Sequence, residues 1–301
     1  MALIPLRDGE QLHVRCIGRG KPVVLLHGFG SQSSHWLPNV LPLTHKYRFI
    51  LPDLRGFGGS HHVPFSGQDV FTTYAQDLED VLDHLQLDQV MLGGISTGAY
   101  TCLVFNQIGG FRRVSRYLNI EHSAQSRNCP EWKHGLFGAR QDEIFAGFRS
   151  LLLQVEAVGQ DTPYWELPTP LRIHLRDTVA ALFHRAVHRP ASKQLVLLAA
   201  RYGERLLTRY MIRVENWQAY LQVMSAFMEG LDTRDQLASI RVPTTLMIGM
   251  RSEFFTPDGQ LDICQYVPHA KVVRFENSGH IPIVDEPLKF QREFANFLRG
   301  A

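Results

Sequence analysis

A chain of 301 residues, 45% hydrophobic and 20% charged, can bury a sizeable core as one large domain or as a domain carrying an insertion. Lys and Arg total 31 against 29 Asp and Glu, and the formal charge of +2 is spread without a basic block, so electrostatics gives no case for nucleic acid or an anionic membrane. The opening MALIPLRDGEQ meets charge by residue 7, unlike a signal peptide, and no apolar run approaches the roughly 18 residues of a membrane span. The expectation is a cytoplasmic protein without a membrane span.

In chain order, a hairpin over about 3–17 leads to the apolar run PVVLLHG, a helix near 34–45 and the run YRFILPD. VFTTYAQDLEDVLDHLQL follows, with Phe71, Tyr74, Leu78, Leu82 and Leu85 at helical spacing and acids between them, which predicts one face packed on a sheet. QVMLGGI reads as the next strand, TGAYTCLVFNQI as its helix and VSRYLNIE as the strand after that. Short apolar runs alternating with helices predict a mostly parallel sheet.

From about 123 to 236 the alternation stops and helical patterns take over: DEIFAGFRSLLLQVEAV, PLRIHLRDTVAALFHRAVH, ASKQLVLLAARYGERLLTRYM and NWQAYLQVMSAFMEG. An inserted helical subdomain over 123–236, with a core made of 1–122 and 237–301, is the expected organisation. Strand patterns return in TTLMIGM and AKVVRFEN before the amphipathic PLKFQREFANFLR. Cys16, Cys102, Cys129 and Cys264 form no CxxC pair and are expected as free thiols. His184 and His188 are four apart, but Arg185 stands where a HExxH zinc site needs its glutamate, so neither a metal nor a cofactor is expected.

In GGISTGAY, Ser96 lies between an apolar strand and a helix, with Gly94 and Gly98 on either side. That is the setting of a nucleophile elbow, a strained turn that presents the serine hydroxyl above the sheet edge while the Thr97 N–H points to the same place. With this motif the chain resembles the α/β-hydrolase superfamily. LLHGFGSQSSHW is similar to the family's HGxG loop, LPDLRGFGGS to its DxRGxGxS loop, and ENSGHIPIVDEP to its histidine loop. Thr97 and Ala99 depart from the more usual GxSMGG.

A serine hydroxyl needs a base within hydrogen-bond reach, and His280, flanked by Ser278 and Gly279, is the candidate. A carboxylate should orient it. After TTLMIGM this chain reads MRSEFFTP in place of the family's usual GxxD, and anchoring on Pro257 puts Glu253 at the acid position. The alternative is Glu121, at the end of LNIE, with Asp258 a more distant third. The resemblance implies an oxyanion hole made by the N–H groups of Phe29 and Thr97, with the Phe29 ring lining the pocket. It also implies a structural brace at Asp53 and Arg55, and His27 is expected to prop the oxyanion loop.

A serine nucleophile excludes the alkyl-ester chemistry of dehalogenase and epoxide-hydrolase members, because a serine alkylated at a saturated carbon would form an inert ether. The expected function is therefore a cofactor-free serine hydrolase of carboxylic esters with small to medium apolar acyl groups, a monomer or homodimer acting on a small-molecule ester. Trp132 and Phe137 are expected to help line the substrate site, under a roof that also draws on Phe145, Trp165 and Trp217. One alternative is a C–C bond or enol-lactone hydrolase using Arg127, Arg140 or Arg172 to hold a substrate carboxylate. Another is a hydrolase-like ligand receptor with little turnover.

Overall fold

The computed structural model describes residues 1–300 apart from 66, 68, 160–161, 203–215 and 231. Eight strands form one sheet: β1 (Ala2–Pro5), β2 (Gln11–Gly18), β3 (Lys21–Leu26), β4 (Tyr47–Pro52), β5 (Val90–Ile95), β6 (Val114–Ile120), β7 (Thr244–Gly249) and β8 (Lys271–Phe275). Their order is β1-β2-β4-β3-β5-β6-β7-β8. β1 and β2 pair antiparallel, β2 meets β4 antiparallel, and every pairing from β4 to β8 is parallel.

Every residue of β5 and β7 is buried, as parallel strands covered on both faces must be. The two-residue period divides these side chains between two cores. Val24, Leu26, Leu92 and Ile248 face one core, whereas Val23, Leu25, Met91 and Met247 face the other.

Helices α1 (Val70–His84) and α2 (Thr97–Gln107) cover the first core. The Asp69 side chain caps α1 by accepting from the Phe71 and Thr72 N–H groups. Phe71, Tyr74, Leu78 and Leu82 are buried on its inner face, and Leu85 packs partly buried at its end. The second core is closed by Trp36 and by the phenylalanines of the C-terminal helix Pro287–Arg299. The continuous helix expected near 34–45 is instead three short turns, Ser33–Trp36, Leu37–Val40 and Leu41–Leu43. Pro38 and Pro42 lack the N–H a longer helix would use there.

Between β6 and β7 the longer elements are helices: α3 (Gln141–Val158), α4 (Thr169–Ala186), α5 (Pro190–Tyr202) and α6 (Gln218–Glu229). Residues 203–211 of the third expected helix lie outside the described residues. The segment's entry and exit are pinned side by side by an antiparallel bridge between Gln125 and Asp232 and by two bonds from Thr233, its N–H and its hydroxyl, to Ala124 O. α4 ends at Ala186 and Val187 is extended, so His184 and His188 do not share a helix face. After β7 come the short helix α7 (Pro257–Leu261), β8 and then α8, the C-terminal helix already described. No helix among the described residues is long and apolar enough to cross a membrane.

Candidate active site

β5 and β6 run in parallel register, Ile95 beside Ile120, so Ser96 and Glu121 are each the first residue beyond neighbouring strand ends. Both have left-handed backbones, with φ of 53° and 58°. Such conformations cost a non-glycine residue about 1–3 kcal/mol and persist only where the surroundings enforce them. At Ser96 the enforcement is close packing: a Cβ on Gly94 would strike the Gly98 backbone, and one on Gly98 would lie 2.5 Å from Leu26 O. The Ser96 N–H donates to Ile120 O and the Ser96 carbonyl accepts from Tyr100 N–H, each at 2.9 Å. At Glu121 the N–H donates to Met247 O at 3.0 Å.

Ser96 Oγ lies 2.8 Å from His280 Nε2, and His280 Nδ1 lies 3.0 Å from Glu121 Oε2. The carboxylate facing the imidazole is therefore Glu121. This corrects the placement of Glu253, whose side chain is exposed and pairs with Lys193 at 3.1 Å and Arg185 at 3.6 Å. The cause is local packing beyond β7. Gly249 runs so close under the histidine loop that a Cβ there would collide with Gly279 O, while Arg251 N–H is held to Ser278 O. The chain then turns outward, carrying Glu253 to the surface and laying the Phe254 ring on His280, centroids 4.2 Å apart and 8° from parallel. Asp258, the third candidate, is exposed in the first turn of α7.

Glu121 is fully buried. Its Oε1 accepts from the Gly249 N–H and, at 3.0 Å, from the Gln260 amide. The next residue, His122, stacks on Tyr100 and makes no bond through Nε2 among the described residues. Burial pushes its pKa down to about 3, so it adds no positive charge beside the glutamate near neutral pH.

His27 is also buried. Its Nδ1–H donates to Gly28 O at 2.8 Å and its Nε2 accepts from Leu54 N–H at 2.9 Å, which fixes the tautomer and ties the loop after β3 to the loop after β4. That second loop is braced by Asp53, which accepts from Gly59 N–H, and by Arg55, which makes two 2.7 Å bonds to Asp77. The N–H groups of Phe29 and Thr97 make no hydrogen bond to protein among the described residues. Thr97 opens α2, where the helix dipole favours negative charge.

A cavity of about 480 Å³ opens over Ser96 and His280. Its apolar walls come from five stretches: Phe29, Trp36 and Pro38 after β3; Ile95 at the end of β5; Leu182, Phe183 and Ala186 of α4; Phe254; and Ile281, Ile283 and Val284 just after His280. Ser31, Ser34 and His35 supply a polar side. Trp132 and Phe137, expected here, do not line it. Their segment runs along α7 instead, where Trp132 Nε1–H donates to Asp262 at 3.2 Å and Phe137 packs behind Phe254 at 5.1 Å. Phe145 and Trp217 are buried away from the cavity, and Trp165 is exposed.

Arg127 and Arg140 are exposed, and Arg172 lies over the Trp165 ring, so none of the three lines the cavity. Phe29 was expected in the wall, but the other walls went unread in the sequence because an apolar residue there looks like any core residue. The alternating Ile281 and Ile283 beside His280 were the one local signal.

A serine raised on a strained strand-to-helix turn, and a histidine reaching it from the loop after the last strand of an eight-stranded sheet, define a class of fold. The model of the alpha/beta hydrolase family matches residues 23–292, and the chain belongs to that family. It is 26% identical to the AB hydrolase superfamily protein YisY of Bacillus subtilis, with 98% of this chain and 97% of that one covered. It is 25% identical to the pimeloyl-[acyl-carrier protein] methyl ester esterase of Aeromonas hydrophila, with coverage of 95% and 98%. Among solved structures, an esterase from Exiguobacterium antarcticum superposes with a TM-score of 0.77 at 23% identity, over 99% of each chain.

Proposed function

We propose that the protein is a serine hydrolase of neutral carboxylic esters carrying small to medium apolar acyl groups. Residues 1–122 and 237–301 form its catalytic core and 123–236 a helical cap. The observation that carries this reading is the bond chain from Ser96 through His280 to Glu121 at the floor of an apolar cavity. Ser96 Oγ attacks the ester carbonyl as His280 Nε2 takes its proton, and buried Glu121 stabilises the imidazolium. The free N–H groups of Phe29 and Thr97 receive the oxyanion. The imidazolium then protonates the departing alcohol, and water, activated by the same histidine, releases the acid from Ser96. Phe29, Phe183 and Phe254 contact the substrate.

A carboxylate-bearing C–C or enol-lactone substrate would need a cation in the cavity, and no Lys or Arg lines it among the described residues. The test combines fluorophosphonate labelling with turnover on a p-nitrophenyl ester series. Wild type should be labelled and should turn over repeatedly, and Ser96→Ala should lose about 10⁶-fold in kcat. Labelling of Ser96→Ala equal to wild type would remove the nucleophile assignment, and one round of labelling without turnover would favour a receptor.

A further inference from the structure

The glutamate that meets His280 is held by three donors, and one of them is a side chain with no counterpart in the motifs of the sequence. Gln260 is 1% exposed. Its Nε2 donates to Glu121 Oε1 at 3.0 Å and to Phe255 O at 3.1 Å, so both amide protons are used. The residue sits in α7, whose Thr256 cap accepts from Gly259 N–H at 3.2 Å and meets His134 of the helical segment at 2.9 Å.

We infer that Gln260 is a positioning residue, a neutral clamp that fixes the Glu121 carboxylate with Oε2 turned to His280. This rests on the reading of Glu121 as the acid of the proposed hydrolase. A buried carboxylate needs its lone pairs satisfied. An arginine in this role would compete with the imidazolium for the same charge, whereas an amide orients the group and leaves that charge for His280. Among the described residues no Lys or Arg hydrogen-bonds or pairs with Glu121. Among the described residues, neutral His122 adjoins the pair and, behind the histidine loop, Asp285 accepts from Gly279 N–H at 2.9 Å.

The test is a double-mutant cycle read by kcat and by the rate of fluorophosphonate acylation. Gln260→Met keeps the shape and removes the donor. It should lower both rates about tenfold with KM within twofold, and the same change made in Glu121→Gln should add less than a further twofold. Gln260→Glu restores a donor only while the new carboxyl is protonated, so its activity should fall as pH rises, along a basic limb that wild type lacks. Both arms are required. An equal loss from Gln260→Met in both backgrounds, or no added basic limb in Gln260→Glu, would reduce Gln260 to packing of α7. If Gln260→Met fails to fold, the Gln260→Glu profile decides. Glu121→Gln at wild-type rates is a separate result, which would overturn the proposed acid itself.

Discussion

Ser96 and Glu121 occupy equivalent positions past paired strand ends, and both are held in backbone conformations that most residues avoid. The glycine spacing around the serine announces the first of these in the sequence, because only glycine fits where Gly94 and Gly98 approach each other. The second is announced more faintly: a glutamate ending a strand made Glu121 the alternative acid, but no local pattern marks its φ of 58° or the bond from its N–H to Met247 O on β7. Hence Glu253, which stands at the more familiar position, drew the reading from Glu121. Glu121→Gln should keep the fold and cost about 10⁴-fold in kcat, as loss of the correct tautomer does in a comparable triad, while Glu253→Gln should stay within a few-fold of wild type on the same ester. His122 makes a separate prediction. Burial holds its folded pKa at about 3, below the ordinary histidine value of 6.5, so the unfolded chain binds the extra proton. Stability is unaffected by this group above about pH 6.5 and declines as pH falls toward 3. In thermal melts from pH 7 to 4, His122→Phe should therefore lose Tm less steeply than wild type.

At the scale of elements, helices with a clear apolar stripe were legible and the turns that build the site were less so. α1 follows its Phe71–Tyr74–Leu78–Leu82 stripe, while the segment after the HGxG loop breaks at Pro38 and Pro42. α4 has a weaker pattern yet presents Leu182, Phe183 and Ala186 to the cavity, because its end is fastened to the histidine loop. The buried Asp285 accepts from His188 N–H at 3.0 Å and from Gly279 N–H at 2.9 Å, tying the two together. Phe183 also lies over the loop after β3, where a Cβ on Gly30 would come within 2.8 Å of its ring. Removing that ring should lengthen the acyl space. Phe183→Ala is expected to raise the ratio of kcat/KM for p-nitrophenyl octanoate over butyrate about tenfold, and an unchanged ratio would place the acyl chain against another wall.

For the whole molecule, the parallel sheet was readable because alternating strands and helices leave few ways to cover both of its faces. The cavity was not, since its walls are drawn from five separated stretches that meet only after folding. The pinned ends of the helical segment carry one more consequence, and it concerns time. Glu121, just past β6, and the Gly249 N–H that holds it are 128 residues apart in the chain, and Gln260 is 139 away. The helices between them can form from local contacts, but the acid acquires its donors only after that long excursion closes, and contacts of such separation form slowly. Refolding from denaturant, followed in parallel by far-ultraviolet circular dichroism and by reactivity toward a fluorophosphonate, should show helical signal returning first and a reactive serine appearing in a later phase. Synchronous recovery of the two signals would mean that β6 and β7 pair early, with the helices condensing around a site already assembled.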